Sequence, residues 1–330
     1  MCLSIVIPTV RYMPSLDEAI RSVFDNVTVD FTINVSVNNQ SLDSFLSSRY
    51  IDHCDVNWLC TNAQTVPIWD SFNIAVESAG SEWIYILSDD DLILPGFLKG
   101  VDLKKKDSGY LYATKIIVED HMCRRESCSP SQEQLNNNNP LDLFFAKQVF
   151  HNHISLFVFN IKMFHDVGGF QRRGYPNGYF VDTVFHSHLL ANSTHVEVSD
   201  GPVFLRKQTS NQGSAKFYLN RIVNSYIHEV VEGFWSNDKC REYLRFVYGN
   251  QRIHRKHLFY QRFGTEISKL NNRVYNQSAF KAFLDTSWLS FNAIFTWRTD
   301  FSSKKKIISI YLGYCRKALK CILKRMLFFK

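Results

Sequence analysis

Two hydrophobic periods alternate along the first third of the chain. Leu3 to Ile7 is short, β-branched and apolar apart from Ser4, the pattern of a strand buried on both faces. Pro8 and Thr9 are expected to stop it. From Pro14, residues Leu16, Ala19, Ile20, Val23 and Phe24 fall at helical spacing behind a proline suited to a first helical turn. Phe31 to Val37 reads as a second strand, closed by the polar turn "NNQS", and a helix is expected around Leu42 to Arg49. Asp55 to Cys60 reads as a third strand. Pro67 then opens a helix with Ile68, Phe72, Ala75, Val76 and Ala79 on one face. Glu82 to Ser88 reads as a fourth strand, three consecutive carboxylates follow it, and Pro95 is expected to open another helix.

This alternation predicts an α/β fold: a mostly parallel sheet with helices on both faces. Beyond about Ala215 the pattern turns helical, so an α-helical C-terminal region is expected. Ligands of such sheets bind beyond the carboxyl ends of the strands. Pro8–Thr9, Asn38–Asn39, Asn62 and Asp89–Asp91 all fall at those ends and converge on one rim. Alternate residues of an extended chain point the same way, so Asp89 and Asp91 are expected to face one point with Asp90 turned aside. Two convergent carboxylates suit Mg2+ or Mn2+, which keep positions for water and phosphate oxygens. The plainer alternative is an acidic helix N-terminus favoured by the macrodipole.

The segments "SIVIPT", "VNNQS", "WDSFNIAVESAGSEWIYILSDDDLILPGFL" and "DVGGF" resemble, in content and order, family 2 glycosyltransferases of the GT-A (Rossmann-like) fold. The resemblance covers about residues 3 to 210. It implies transfer of a sugar, with inversion, from a nucleotide-sugar donor to a lipid-linked or saccharide acceptor. The implied setting is bacterial surface polysaccharide, such as the O-antigen of lipopolysaccharide. It further implies that Asp89 and Asp91 form the metal motif, with Asp91 the direct ligand. The donor set is Pro8, Thr9, Asn38, Asn39, Asn62, Asp89 and Asp90. Asp182, in the first turn of a helix starting at Val181, falls where the family carries its general base; a plain helix cap is the alternative. His153 and His186 are acceptor-side candidates.

Three positions depart from the family pattern. Asn38 stands where an Asp is common, Val181 where an acidic pair begins, and Gln208 where a His is frequent. They keep two other readings open: a membrane-bound scaffold that has lost activity, and a nucleotidyltransferase, which also uses paired carboxylates.

Composition adds limits. Among 330 residues, 45% are hydrophobic and 15% aromatic, which excludes disorder. The 27 Phe and 15 Tyr exceed what a core needs, so some are expected to line a groove or meet a membrane. No Cys-x-x-Cys pair occurs among the eight cysteines, against a zinc ribbon. No basic leader precedes the first apolar run, and no apolar stretch is long enough to span a bilayer. Nine basic residues and no acidic one follow Asp300, leaving 29 basic and 31 acidic residues before it. A near-neutral body speaks against nucleic acid as a partner. The tail holds Lys304, Lys305, Lys306, Arg316, Lys317, Lys320, Lys324 and Arg325, and on a helix one face of it is apolar. That pattern is expected to lie on an anionic membrane surface, making the protein cytoplasmic and peripheral on the inner face of the cell membrane. The expected organisation is a catalytic domain over 1–213, with a donor half to 110 and an acceptor half from 111, a helical region over 214–300 and the tail over 301–330.

Overall fold

The computed structural model describes residues 2–39, 41–60, 65–99, 101–105, 107–119, 124–126, 130–145, 149–150, 153–172, 180–207 and 223–248. Asn62, Gln208 and the basic tail lie outside the described residues. The chain divides into two compact units, Met1–Thr209 with Glu232–Tyr243, and Ser210–Val231 with Leu244–Lys330. The first holds every strand of the sheet.

Its parallel block consists of β1 (Leu3–Thr9), α1 (Pro14–Asn26), β2 (Phe31–Val37), β3 (Val56–Cys60), α2 (Ile68–Glu77) and β4 (Trp83–Ile86). The strands lie in the order β3-β2-β1-β4, all parallel, with Ile5 beside Ile33 on one side and Tyr85 on the other. Leu3, Ile5, Val6 and Ile7 of the central strand are wholly buried, as a two-faced strand requires.

Three local expectations differ from the structure. Strand β1 continues through Pro8 and Thr9, which pair with Ser36 and Val37. Its pairing with β4 ends at Val6–Ile86, so Pro8 has a strand neighbour on one side only, where its missing N–H is tolerated. The expected helix over Leu42–Arg49 is a single 3-10 turn, Asp43–Phe45. Asp17 on α1 captures the rest: its carboxylate accepts from Ser48 Oγ (2.6 Å) and from the Arg49 N–H (3.2 Å). Pro95 opens a turn, not a helix, because Gly96 (φ 93°) and Leu98 (φ 55°) adopt left-handed backbone.

Beyond β4 the sheet turns mixed. The second half adds β5 (Asp91–Ile93), β6 (Tyr110–Glu119), β7 (Arg124–Glu126), α3 (Gln132–Asn137), α4 (Pro140–Phe145), β8 (Phe157–Asn160), α5 (Ile161–Val167), α6 (Val181–Asn192) and β9 (His195–Lys207). The strand order continues β4-β8-β6-β9-β5, with β7 beside β6. Strand β8 is antiparallel to both β4 and β6. Helices α7 (Val223–Ser236) and α8 (Asp238–Tyr248) follow. Much of the aromatic surplus is core rather than groove: Phe97, Phe144, Phe145, Phe150, Phe157, Phe159 and Phe170 are all buried. Phe170 meets Phe185 of α6 at 4.1 Å between ring centroids, and Phe159 of β8 meets the same ring at 5.4 Å.

Candidate active site at the strand ends

The carboxylate triplet leaves β4 as a turn. Leu87 still donates its N–H to Val6 (2.9 Å), and then the Asp91 N–H bonds back to the Ser88 carbonyl (3.1 Å). The chain is not extended here, so Asp89 and Asp91 do not alternate along a strand as expected. Asp89 and Asp90 occupy the turn and are half-buried, whereas Asp91 opens β5 and is wholly buried. Each carboxylate has its own neighbour. Thr9 Oγ1 donates to Asp89 Oδ2 (2.6 Å), Ser88 Oγ donates to Asp90 Oδ1 (3.0 Å), and His153 Nε2 lies 3.2 Å from Asp91 Oδ2. Asp91 is therefore an interior group, whereas Asp89 and Asp90 are only partly covered.

Burial pushes the Asp89 carboxyl above the usual carboxylate range; the Thr9 hydroxyl holds it down, the charge of Asp90 pushes it up, and Arg11 lowers it. A cation between the two carboxylates would remove that mutual repulsion, and Mg2+ or Mn2+ needs only one or two protein carboxylates when phosphates complete its shell. Among the described residues, the sole grouping of three such ligands is His53, Cys54 and Asp55, exposed on the turn before β3.

Neighbouring strand ends complete the rim. Pro8 is half-buried and Thr9 buried. Asn38 follows β2, and its N–H donates to the Thr9 carbonyl (2.8 Å). Its side chain is only 4% exposed and grips the Val66 backbone both ways, donating through Nδ2 to the carbonyl (2.9 Å) and accepting the N–H at Oδ1 (2.9 Å). The Asn38 amide thus holds the loop that leads into α2. A carboxylate there would lose the donating half of this grip. Asn39, half-buried, is the next side chain along the rim.

The acceptor half is tied to the same helix. Helix α5 ends at Gly168 in left-handed conformation (φ 79°), as its sequence predicts. Asn73 of α2 brackets the next turn, accepting the Phe170 N–H (2.7 Å) and donating to the Phe170 carbonyl (2.8 Å). Arg172 Nε reaches Asp70 Oδ1 (2.5 Å). Phe180 then precedes α6 with φ 68°, an unusual conformation for a bulky residue and one concentrated at functional sites. Asp182, half-exposed in the first turn of α6, accepts at Oδ1 from the Thr183 N–H (2.7 Å). Val181 is buried, so an acid there would point into the core.

The two histidines expected to meet an acceptor lie inside. His153 is 6% exposed and faces Asp91; His186 is 1% exposed and stands edge-on to Phe157 at 5.1 Å. Helix α6 presses against β8 through its ring-bearing face, which carries His186 inward. Asn73, Ser155 and the Asp70–Arg172 pair went unread. Asn73 and Asp70 stand inside a quoted motif segment, but what they hold does not show there; Ser155 and Arg172 have partners 67 and 102 positions away.

No family model matches the chain, and no curated protein sequence does. Solved structures do. Residues 1–349 of S. aureus TarS superpose with a TM-score of 0.57 at 11% identity, covering 98% of this chain and 92% of that one. The chain has the GT-A fold. The same TarS segment in complex with UDP-GlcNAc gives a TM-score of 0.60 at 10% identity over the same shares of both chains. At such identity the likeness is one of fold.

Proposed function

We propose that the protein is a glycosyltransferase that takes its sugar from a nucleotide-sugar donor. The observation that carries this is the acidic turn at the end of β4: two half-buried carboxylates, one bonded to Thr9 at the end of β1, on a GT-A sheet. The TarS complex with UDP-GlcNAc supports a donor of this class. A divalent cation held by Asp89 and Asp90 would neutralise charge growing on the departing diphosphate. Thr9 orients Asp89, and Ser88 orients Asp90. Asp182 is the proposed general base, taking the proton of the attacking acceptor hydroxyl, with inversion at the anomeric carbon. The basic, acid-free tail supports an acceptor held at an anionic membrane surface, in bacterial surface polysaccharide of the O-antigen kind. No helix among the described residues is long and apolar enough to cross a membrane.

Purified protein is to be incubated with a panel of nucleotide-sugars and Mn2+, and the released nucleotide identified. Nucleoside diphosphate is expected. Asp89→Ala and Asp90→Ala should each lower turnover by at least about a hundredfold, as should Asp182→Asn, which alone should leave donor binding near wild type. Formation of nucleoside triphosphate and sugar 1-phosphate when inorganic pyrophosphate is added would transfer the reading to a nucleotidyltransferase, and no release from any donor would transfer it to an inactive scaffold.

A further inference from the structure

The acidic turn is gripped at both ends by one short segment that the proposed chemistry does not use. Because β8 runs antiparallel to β4, with Tyr85 beside Val158, the 3-10 turn Ile154–Leu156 that precedes β8 lies next to the end of β4. His153 caps that turn, its Nδ1 accepting the Ser155 N–H (3.3 Å). An imidazole nitrogen that accepts carries no proton, so the network assigns the ring proton to Nε2. Nε2 is the atom 3.2 Å from Asp91 Oδ2. Ser155 reaches the other end: its Oγ accepts the Ser88 N–H (3.3 Å). The segment is itself pinned to β6, where the Thr114 hydroxyl lies 2.9 Å from the Ser155 carbonyl and 3.0 Å from that of Leu156. Thr114, Ser155 and Asp91 are wholly buried and His153 nearly so. Between the two gripped ends, Asp89 and Asp90 remain half-exposed.

We infer that His153 and Ser155 are positioning residues that fix the direction in which Asp89 and Asp90 present their carboxylates to the metal–diphosphate end of the donor. The inference rests on the proposed function. Two adjacent carboxylates repel and, on a free loop, would splay apart. A four-residue turn fixed at Ser88 and at Asp91 leaves them little room to do so. Groups behind a ligand set act in this way, and their removal costs about 10–100-fold in metal affinity. A network that served stability alone would change the unfolding midpoint and leave metal affinity in the folded protein untouched.

The test uses the full chain. Mn2+ binding is followed by electron paramagnetic resonance, alone and with UDP or GDP, in wild type, His153→Ala, His153→Gln and Ser155→Ala, after circular dichroism confirms folding. His153→Ala should weaken Mn2+–nucleotide binding at least about tenfold. His153→Gln, whose amide keeps a donor group on the Asp91 side, should recover to within about threefold of wild type. Ser155→Ala, which frees only the Ser88 end, should fall between, and it carries the test if His153→Ala does not fold. Folded His153→Ala or Ser155→Ala protein that binds Mn2+–nucleotide like wild type overturns the inference while the proposed function stands. Wild-type protein that binds neither nucleotide with Mn2+ overturns the proposed donor site and this inference with it.

Discussion

The two halves of the sheet bring residues to the rim by different means. In the parallel block, topology does it: β1, β2 and β4 end side by side, and the residues at or just after those ends are Thr9, Asn38 and Asp89. In the mixed half the work falls to side chains that bridge long stretches of sequence, Asn73 to Phe170 and His153 to Asp91. Placement by strand order survives the loss of any one side chain. A side-chain clamp does not. Substitutions at the rim should therefore cost activity with little loss of stability, and substitutions in the clamps should cost stability first.

The largest stability effect is expected at the Asn73 clamp. Gly169 has φ 63°, and a Cβ there would stand 2.7 Å from Asn73 Oδ1 and 2.9 Å from Phe164 Cζ. Left-handed backbone costs a residue with a Cβ about 1–2 kcal/mol, and forced repacking about 1–3 kcal/mol more. Gly169→Ala should thus lose about 2–5 kcal/mol in urea unfolding. Gly168→Ala isolates the clamp, because Gly168 shares the left-handed backbone but a Cβ there meets nothing within 4 Å. Equal losses in the two variants would show that Asn73 is no clamp.

A smaller effect separates neighbours in the triplet. Asp91→Ala leaves the buried Nε2–H of His153 facing no carboxylate, at a cost of about 1–3 kcal/mol. Asp90→Ala, on the half-exposed turn, should stay within about 0.5 kcal/mol of wild type while losing turnover. Parallel urea titrations and turnover assays should rank the two variants in opposite orders. The same rank in both assays would mean that all three carboxylates share one role.

This contrast also explains what was legible in the sequence. Strands β1, β2, β3 and β4 and helices α1, α2 and α6 announce themselves by local period, and strand ends in an α/β sheet have a known use. The rim of Thr9, Asn38 and Asp89 follows from that alone. Strands β5 to β9 went unread because their partners are antiparallel or distant; Asp91 pairs in register with Arg206. Reading the triplet as extended chain missed the burial of Asp91 for the same reason. Its side chain is claimed by a residue 62 positions away, which no local period reports. The burial of His153 and His186, read as acceptor-side candidates, was missed because a polar side chain in an aromatic stretch gives no sign of which face it shares. Val181 and Asn38 read as losses from a motif, yet each suits a buried site: Val181 lies in the core and Asn38 holds the Val66 backbone.

The smallest effect is expected at the rim position where topology and clamp meet. Asn38 sits at a strand end, yet its amide grips the Val66 backbone in both directions. Asn38→Asp keeps the acceptor for the Val66 N–H and sets a carboxylate oxygen against the Val66 carbonyl. At pH 7 the loss of one hydrogen bond should cost about 1 kcal/mol. Burial raises the folded pKa of the introduced carboxyl above its unfolded value of about 3.9. The folded variant then binds a proton more tightly than the unfolded one, so its stability rises as pH falls through the raised pKa. Protonation also restores a donor toward the carbonyl. The gap to wild type should therefore narrow between pH 7 and pH 4.5 in paired urea titrations. If Asn38 instead serves the nucleotide and not the loop, the gap stays near zero at both pH values and the substitution changes donor affinity alone. A gap that is present and constant with pH would place the lost contact somewhere other than the Val66 carbonyl.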